Sequence, residues 1–329
     1  MNNTPKVTVF IPVYNRAAYV GEAIASMLRQ RFTDFELLLI DDGSSDNSLE
    51  VIKRFTDPRI RLLVNERNLG QPLTRNRGSD EARGEYLALL DSDDLAEPER
   101  LARQVAFLDS HPDHALVGCW NRFIDAQGKS LHKRKRHPVD SREIRARMLF
   151  QCRISHRAVM ARTEVMRRFR YNSDFKVCQD YDLFSRISEQ YALGNVPGYL
   201  VKGRIHAEQI TETQADAGRD KRIKIMARML DQLGVTYSEN DVLRHYYLPR
   251  KGFPAFKPDR EYLEWAEGWL ARLLEANQRR SVYPEPEFSR ALSLQWSRVC
   301  WQTRTPHRFW RSDWRTPALT AGWRKLLLA

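Results

Sequence analysis

The stretch FELLLIDDGSSDNS (35–48) decides the fold of this chain. Its first six residues are apolar except for one glutamate, which is typical of a strand buried on both faces of a parallel sheet. The cluster DDGSSD (41–46) then supplies a turn and helix-capping side chains. Similar strand, turn and helix patterns repeat on both sides of it. This alternation predicts an α/β fold in which helices flank a mainly parallel, Rossmann-like sheet.

The neighbouring elements follow from the same patterns. Short apolar runs predict strands at 7–13, 60–64, 86–90 and 115–120. Helical periodicity predicts helices at 17–30, 46–55, 71–82 and 98–108, and Asp94 is interpreted as the N-cap of the last one. Helices and strands are mixed between 140 and 206. After residue 207 the pattern is helical, with segments at 221–233 and 260–276.

Composition narrows the class of protein. With 42% hydrophobic residues among 329, the chain can bury a core, which excludes an intrinsically disordered protein. The sequence contains no stretch of about 18 apolar residues, so it predicts no transmembrane helix. The first residues lack the pattern of a signal peptide. The four cysteines are scattered, as expected for free thiols in the cytoplasm. The formal net charge of +12 leaves nucleic acid, anionic membrane and phosphorylated ligands as partners to weigh.

Four polar clusters lie near the ends of predicted strands: Pro12–Asn15, Asp41–Asp42, Arg75–Arg77 and Asp91–Asp94. In an open α/β sheet, ligands bind beyond the carboxyl ends of the strands, so we expect these clusters to share one edge. Neither a G-x-G-x-x-G nor a Walker A motif accompanies them, which argues against a dinucleotide-binding or P-loop protein.

The sharpest of these motifs is Asp91-Ser92-Asp93. Residues i and i+2 of an extended segment project to the same side, so the two carboxylates face one space. A Mg²⁺ or Mn²⁺ ion would offset their repulsion and bridge the diphosphate of a ligand. The alternative is helix capping, although three acidic residues exceed what a cap requires. A carboxylate at Asp42 can likewise accept hydrogen bonds from a ribose or base, or cap the following helix.

Taken in order, these motifs resemble those of the family 2 glycosyltransferases of GT-A fold. The matching segments are VTVFIPVYNRAAYVGEAIASMLRQRFTDFELLLIDDGSSDNS (7–48), NLGQPLTRNRG (68–78), GEYLALLDSDDLAEPERL (84–101) and, more loosely, CQDYDLFSRI (178–187) and RIHAEQIT (204–211). The resemblance implies an inverting transfer of a sugar from a nucleoside-diphosphate-sugar, with UDP favoured over GDP and dTDP. The acceptor would be a hydroxyl of a glycan or a lipid-linked intermediate in cell-surface polysaccharide synthesis.

The resemblance also implies roles for residues of the donor half. Pro12 and Tyr14 would line the nucleobase pocket, Tyr14 by stacking on the base. Asp42 would hold the base or the ribose, and Arg75 would approach the nucleotide. The alternative is that Arg75 is a solvated helix residue, since Arg77 competes for the same role. Asp91 would hold the ribose or a metal-bound water.

The metal and the catalytic base complete the implied site. Asp93 would bind Mg²⁺ or Mn²⁺ directly and His206 would complete the metal site, although a lone histidine is often structural. Asp180 matches the family's catalytic base, which takes the proton of the acceptor hydroxyl; its alternative role is to cap a helix. Gln179 departs from the acidic residue that the family has before this base. His156 resembles a position that faces the acceptor.

We therefore expect a GT-A domain at 1–210, with its nucleotide-sugar-binding half at 1–125 and its acceptor half at 126–210. A helical, Trp- and Arg-rich extension would follow at 211–329. Residues 296–329 hold seven Arg and Lys against one Asp, interleaved with tryptophans, which is typical of a segment on anionic lipid. The alternative is a helical layer that packs its tryptophans on the main domain. The basic run 133–136 is either a solvated loop or a contact for acceptor phosphates.

Two other classes of protein stay open. A sugar nucleotidyltransferase shares the sheet and the Mg²⁺, but it has a Gly-rich phosphate loop after the first strand, and IPVYN (11–15) is not one. A nucleic-acid-binding protein is suggested by net charge alone, without a recognised motif. We expect a cytoplasmic enzyme, peripheral at the inner face of the cell membrane, with no nucleic-acid partner.

Overall fold

A computed structural model describes residues 4–206, 215–250, 258–312 and 314. No helix within these ranges is long and apolar enough to cross a membrane. The chain divides into two compact units, one formed by Met1–Ser141 with Arg153–Gly218 and the other by Arg142–Cys152 with Arg219–Ala329. The domain boundary expected after residue 210 lies in 207–214, outside the described residues, and stays a prediction.

One mixed sheet organises the first unit. In the described residues its strands are β1 Val7–Val13, β2 Phe35–Asp41, β3 Ile60–Val64, β4 Tyr86–Leu89, β5 Leu95–Ala96, β6 His114–Ile124, β7 Ser130–Lys135, β8 Met160–Arg162 and β9 Ala192–Arg204. Their order is β3-β2-β1-β4-β8-β6-β9-β5, with β7 added on β6. The four strands of the first half are parallel. Both parallel and antiparallel pairs follow, and the α/β class is confirmed.

Helices separate the strands and continue beyond them. They are α1 Val20–Leu28, α2 Ser48–Lys53, α3 Gln71–Glu81, α4 Arg100–Ser110, α5 Ser141–Met148, α6 Thr163–Phe169, α7 Gln179–Ile187, α8 Ala215–Leu233, α9 Glu239–Tyr247, α10 Arg260–Arg280, α11 Glu287–Gln302 and α12 Pro306–Arg311. A short 3-10 turn spans His156–Ala158. The strands predicted at 7–13, 35–40, 60–64 and 86–90 are present within one residue at each end, whereas the strand predicted at 115–120 continues to Ile124. Helices α6, α9, α11 and α12 were not predicted from the sequence.

The register of the parallel strands brings their carboxyl ends to one edge. Val13 of β1 lies beside Asp41 of β2, which lies beside Val64 of β3. Gly84 allows β4 to approach β1 closely, because a Cβ atom at this position would lie 2.4 Å from the Thr8 nitrogen. The loops after β1, β2 and β4 therefore open on a common edge, as the polar clusters predicted.

The second unit is helical, and its tryptophans are divided between interior and surface. Trp269 and Trp296 are fully buried. The indole N–H of Trp269 donates to Nδ1 of His245 over 3.0 Å. Trp301 and Trp310 remain 59% and 37% exposed. The helical extension is thus present, and Trp323 with the rest of 315–329 lies outside the described residues, so membrane contact stays a prediction.

Candidate active site

The loops after β1 and β2 are tied to each other by side-chain hydrogen bonds. Asn15, in the left-handed conformation at φ 51°, accepts the Ser45 backbone N–H at its Oδ1 over 2.9 Å. The Arg16 N–H donates to the Ser48 hydroxyl over 2.7 Å. These bonds fix the turn that presents Tyr14, whose side chain is 44% exposed at the sheet edge. Pro12, in β1 beside Ile40, is partly buried and lies in the same strand end.

Asp42 is buried, and its carboxylate accepts hydrogen bonds from the loop that leads into α3. Its Oδ1 accepts the Asn65 amide over 2.5 Å and the Leu69 N–H over 2.9 Å, and its Oδ2 accepts the Gly70 N–H over 3.0 Å. These bonds place the carboxylate at the edge and hold the start of α3. A carboxylate offers about four lone-pair sites, so contact with a base or ribose stays a prediction.

Arg75 and Asp91 form an ion pair at the same edge. Arg75 Nη2 lies 3.2 Å from Asp91 Oδ1, and Arg75 is only 5% exposed. Burial raises the pKa of the Asp91 carboxyl, but the neighbouring Arg75, His156 and Arg157 together outweigh it and hold this pKa below its usual value. A second donor of Arg75 reaches Gln71 Oε1 over 3.1 Å. The pair keeps Asp91 ionised and places one arginine of α3 beside the Asp91-Ser92-Asp93 motif, which we call the D-x-D motif.

Asp93 meets His206, as the resemblance implied for two metal ligands. Asp93 Oδ2 and His206 Nε2 are 2.9 Å apart, and both side chains are largely buried. Arg16 Nε lies 3.9 Å from the same carboxylate oxygen. No group of three or more His, Cys, Asp and Glu side chains is placed to hold a metal within the described ranges. Asp93 and His206 therefore place one oxygen and one nitrogen side by side, and metal binding by them stays a prediction.

Arg204, at the end of β9, holds the D-x-D segment in place. The side chain is 1% exposed. Its Nε donates to the Asp93 carbonyl over 2.9 Å, its Nη1 to the Ala126 carbonyl over 2.8 Å and its Nη2 to Glu22 over 2.8 Å. No sequence signal marked this arginine, because its partners come from three distant segments.

Asp94 does not cap a helix, which corrects the prediction made for it. Residues 95 and 96 form β5, and α4 begins at Arg100 after Glu99. The Asp94 carboxylate is fully buried and accepts Arg157 Nη1 over 2.7 Å and the Arg204 N–H over 2.8 Å. Burial raises the pKa of this carboxyl well above its usual value. Asp94 therefore joins β5 and β9 behind the two carboxylates that face the edge.

A second cluster surrounds His156. Its Nε2 lies 2.8 Å from the Tyr171 hydroxyl. Burial and the Arg75 charge lower the pKa of His156 to about 4, although the carboxylates of Asp91 and Asp180 act to raise it. Arg157 lowers this pKa further, so two arginines and two carboxylates of the site all influence one imidazole.

Asp180 lies in the first turn of α7, where Cys178 is the N-cap residue. Asp180 is partly exposed and has no hydrogen-bond partner among the described residues. The helix-capping alternative is therefore wrong. Gln179 is 5% exposed and donates to Gln71 Oε1 over 2.9 Å. Gln71 thus links Gln179 to Arg75, so the amide that replaces an acidic residue has a defined partner.

Comparisons with known proteins agree with this fold. A model of glycosyl transferase family 2 matches residues 8–174. An uncharacterised glycosyltransferase of Methanocaldococcus jannaschii is 32% identical over 206 residues, which are 61% of this chain and 71% of that protein. The chondroitin synthase of Escherichia coli is 26% identical over 238 residues, 71% of this chain and 34% of that protein.

Solved structures extend the likeness beyond the matched family segment. Residues 1–349 of S. aureus TarS, in complex with UDP-GlcNAc, align with a TM-score of 0.59 at 16% identity, over 97% of this chain and 92% of that one. The mannosyltransferase PcManGT from Pyrobaculum calidifontis, in complex with GDP-Man and Mn²⁺, aligns with a TM-score of 0.57 at 16% identity, over 95% and 89%. The GT-A-like fold and the helical C-terminal region are thereby shown.

Proposed function

The chain belongs to glycosyl transferase family 2, and we propose that it transfers a sugar, with inversion, from a nucleoside-diphosphate-sugar to an acceptor hydroxyl. We propose UDP as the nucleotide. Pro12 and Tyr14 would line the base pocket, Asp42 would hold the base or ribose, and Arg75 and Asp91 would face the nucleotide. The acceptor would be a glycan or a lipid-linked intermediate of polysaccharide synthesis.

One observation carries the proposal. Asp93 and His206, which lie 113 residues apart in sequence, place a carboxylate oxygen and an imidazole nitrogen 2.9 Å apart at the sheet edge. The Arg75–Asp91 pair and the exposed ring of Tyr14 belong to the same edge. Ligands of open α/β sheets bind at this edge. A carboxylate and an imidazole can bind the cation of a nucleoside diphosphate, an arginine can bind its phosphates, and an aromatic ring can stack on its base.

The two ligand atoms fit a divalent cation. Asp93 Oδ2 and His206 Nε2 share one proton in a hydrogen bond, and a Mg²⁺ or Mn²⁺ ion can take that proton's place. Oxygens of the donor diphosphate and water would complete its coordination, since these cations favour oxygen ligands. When bound, the cation offsets the charge that develops on the leaving diphosphate.

Asp180 would act as the base. Its carboxylate takes the proton of the acceptor hydroxyl while that oxygen bonds to the anomeric carbon. The bond from this carbon to the diphosphate oxygen breaks, and its electron pair stays on the diphosphate. Support comes from the carboxylate itself, which is partly exposed and without a hydrogen-bond partner among the described residues.

The acceptor class and the location are the finer parts of the proposal. The match to a chondroitin synthase favours a growing polysaccharide. The exposed rings of Trp301 and Trp310 lie in the basic C-terminal segment, and they favour a peripheral enzyme at the inner face of the cell membrane. Sedimentation with anionic vesicles tests the location, and a protein that stays in the supernatant at low salt contradicts it.

A thermal-shift panel tests the proposed activity. We expect UDP or a UDP-sugar to raise Tm by several degrees in Mn²⁺ and much less in EDTA, because a ligand that binds the folded state stabilises it. The sugar whose UDP derivative shifts Tm furthest is then offered with acceptors. Release of pyrophosphate from a nucleoside triphosphate and a sugar 1-phosphate would instead identify a nucleotidyltransferase.

A further inference from the structure

A hairpin rich in cations extends from the candidate active site. It consists of β6, the turn 125–129, β7 and the adjoining Arg136, and we call it the basic hairpin. Residues 133–135 belong to β7 and Arg136 follows it, so most of the run 133–136 is a strand rather than the solvated loop that was one expectation. Every residue of β7 is exposed. A strand on the rim of a sheet with both faces exposed buries almost nothing. Its residues are therefore not selected for packing in a core, and they are available to bind a partner from solution.

The arginines of this hairpin are held in place by two aromatic rings. The Tyr199 ring has Arg122, Arg134 and Arg136 at 5.1, 5.6 and 5.8 Å from its centroid. Arg136 also lies 5.1 Å from the centre of the Trp120 ring and donates its Nε to the Tyr199 hydroxyl over 2.8 Å. A guanidinium stacked on a ring keeps its N–H edge free for an anion.

Local irregularities in the strand pairing produce this arrangement. Trp120 of β6 lies directly opposite Tyr199 of β9, and the register shifts on both sides of this pair. A bulge turns side chains away from their regular alternation. Here the shifts bring the two rings to 5.4 Å from each other, beneath arginines of both β6 and β7.

Four cations of the basic hairpin have no carboxylate partner among the described residues. Among the described residues, none forms an ion pair with Arg122, Lys133, Arg134 or Arg136. Arg122 and Arg134 are directly opposed across the hairpin, and like charges in that position destabilise a sheet. This repulsion is relieved when an anion binds between them.

The hairpin is connected to the site at its turn. Ile124 of β6 pairs with Ser130 of β7 and with Arg204 of β9, two residues before His206. Arg204 binds both the Ala126 carbonyl in the turn and the Asp93 carbonyl. At about 3.3 Å per residue, Arg134 in β7 and Arg136 just beyond it lie on the order of 13–20 Å from Ser130.

We infer that the basic hairpin binds the anionic chain of the acceptor, a polysaccharide that carries carboxylate or phosphate groups, and leads its end to the site. The inference rests on the proposed function. A chain is favoured over a membrane surface because both faces of β7 carry cations and Leu131, at 42% exposure, is its one large exposed apolar side chain. Membrane-inserting segments present a broader apolar face.

The test compares two triple variants of the full chain that lose the same charge. K133Q/R134Q/R136Q removes cations of the basic hairpin, and R29Q/R54Q/R83Q removes three exposed arginines elsewhere in the first unit. The probes are a fluorescent oligogalacturonate, a neutral dextran of equal length, and vesicles containing phosphatidylglycerol. Binding is measured by anisotropy, or by co-sedimentation for the vesicles, and UDP binding in Mn²⁺ is measured on every protein.

We expect the wild type to bind oligogalacturonate, with affinity that falls as salt rises, and not to bind dextran. The hairpin variant should lose at least tenfold in affinity and the control variant less than threefold, with UDP binding unchanged in both. R134K/R136K should bind more weakly than the wild type, because lysine keeps the charge but loses the stacked fork.

Three results would overturn the inference. Equal losses in the two triple variants would reduce it to an effect of net charge. Binding of vesicles but not oligogalacturonate through the hairpin would identify a membrane contact. UDP binding without any oligogalacturonate binding would rule out the basic hairpin as a binding surface for an anionic chain, but it would not contradict the proposed function. If oligogalacturonate binding depends on the hairpin but no nucleotide binds, the surface stands and the proposed function fails.

Discussion

His206 Nε2 lies 2.9 Å from Asp93 Oδ2, although the two residues belong to segments 113 positions apart. Asp93 follows β4, and His206 follows β9. Arg204 adds a bond from the end of β9 to the Asp93 carbonyl. The cation site that we propose therefore depends on the folding of both halves of the sheet.

Removing Asp93 should abolish the metal dependence of donor binding. In D93A one of the two adjacent ligand atoms is lost, and we expect the Mn²⁺-dependent part of UDP affinity to fall by at least tenfold, since metal sites lose this much when supporting groups are removed. H206A should lose less, because the carboxylate keeps its charge. Isothermal titration with and without Mn²⁺ measures both.

The exposed Asp34 provides the control for that experiment, since D34N removes a carboxylate of the same unit that has no proposed role in binding the nucleotide or the metal. D34N should bind UDP and Mn²⁺ as the wild type does. Wild-type affinity in D93A would show that the cation is held elsewhere or not at all.

Replacing Asp180 should separate binding from transfer. D180N removes the basic oxygen while keeping the shape of the side chain, so UDP affinity should stay within about twofold. The rate of transfer should fall by about 10²–10⁴, the usual contribution of a general base. Product formation is followed by release of UDP. A D180N protein with full activity would rule out this base.

Arg75 should stabilise the protein through Asp91. R75M leaves a largely buried carboxylate without its partner, and we expect the free energy of unfolding to fall by about 1–3 kcal/mol. The double variant R75M/D91N should recover part of this loss, because no charge is then left unpaired. Urea unfolding measures all three proteins, with the exposed Arg54 as the control in R54M. Equal losses in R75M and R54M would contradict the ion-pair argument.

The first half of the sheet could be predicted from sequence, and the buried ion pairs could not. Strands β1 to β4 are short apolar runs between turn residues, and both signals are local. Asp91 and Asp93 stood out because an extended segment would place both side chains on one side. Residues 92 and 93 instead form a turn, in which the Asp94 N–H donates to the Asp91 carbonyl over 3.1 Å. Asp94 looked like a helix cap from its neighbours alone, and its true partners, Arg157 and the Arg204 N–H, come from distant segments.

The basic hairpin shows a second limit. Its charges are visible in sequence, but charge runs are usually solvated loops, and β7 has no apolar alternation to mark it as a strand. Its pairing with β6 is set by backbone hydrogen bonds and by the turn at Asp125, whose carboxylate accepts the Gln127 and Lys129 N–H groups. The stacking on Tyr199 needs the register of three strands, which local patterns do not contain.

The stability of the protein should depend on pH through His156. The pKa of this imidazole is lowered to about 4 by burial and the Arg75 charge, with further influence from Arg157, Asp91 and Asp180. Between pH 6.5 and pH 4 the unfolded chain therefore binds a proton that the folded protein does not. The free energy of unfolding should fall as pH is lowered through this range, because the unfolded state binds more protons.

H156Q keeps a hydrogen-bonding group near the Tyr171 hydroxyl but cannot titrate. Urea unfolding at pH 7 and pH 5 should show a smaller loss of stability on acidification in H156Q than in the wild type. H132Q, which replaces an exposed histidine of β7, should lose as much as the wild type, because an exposed imidazole binds its proton equally well in both states. If H156Q and H132Q lost equal stability between the two pH values, His156 would be protonated in the folded protein, and the burial argument for its low pKa would fail.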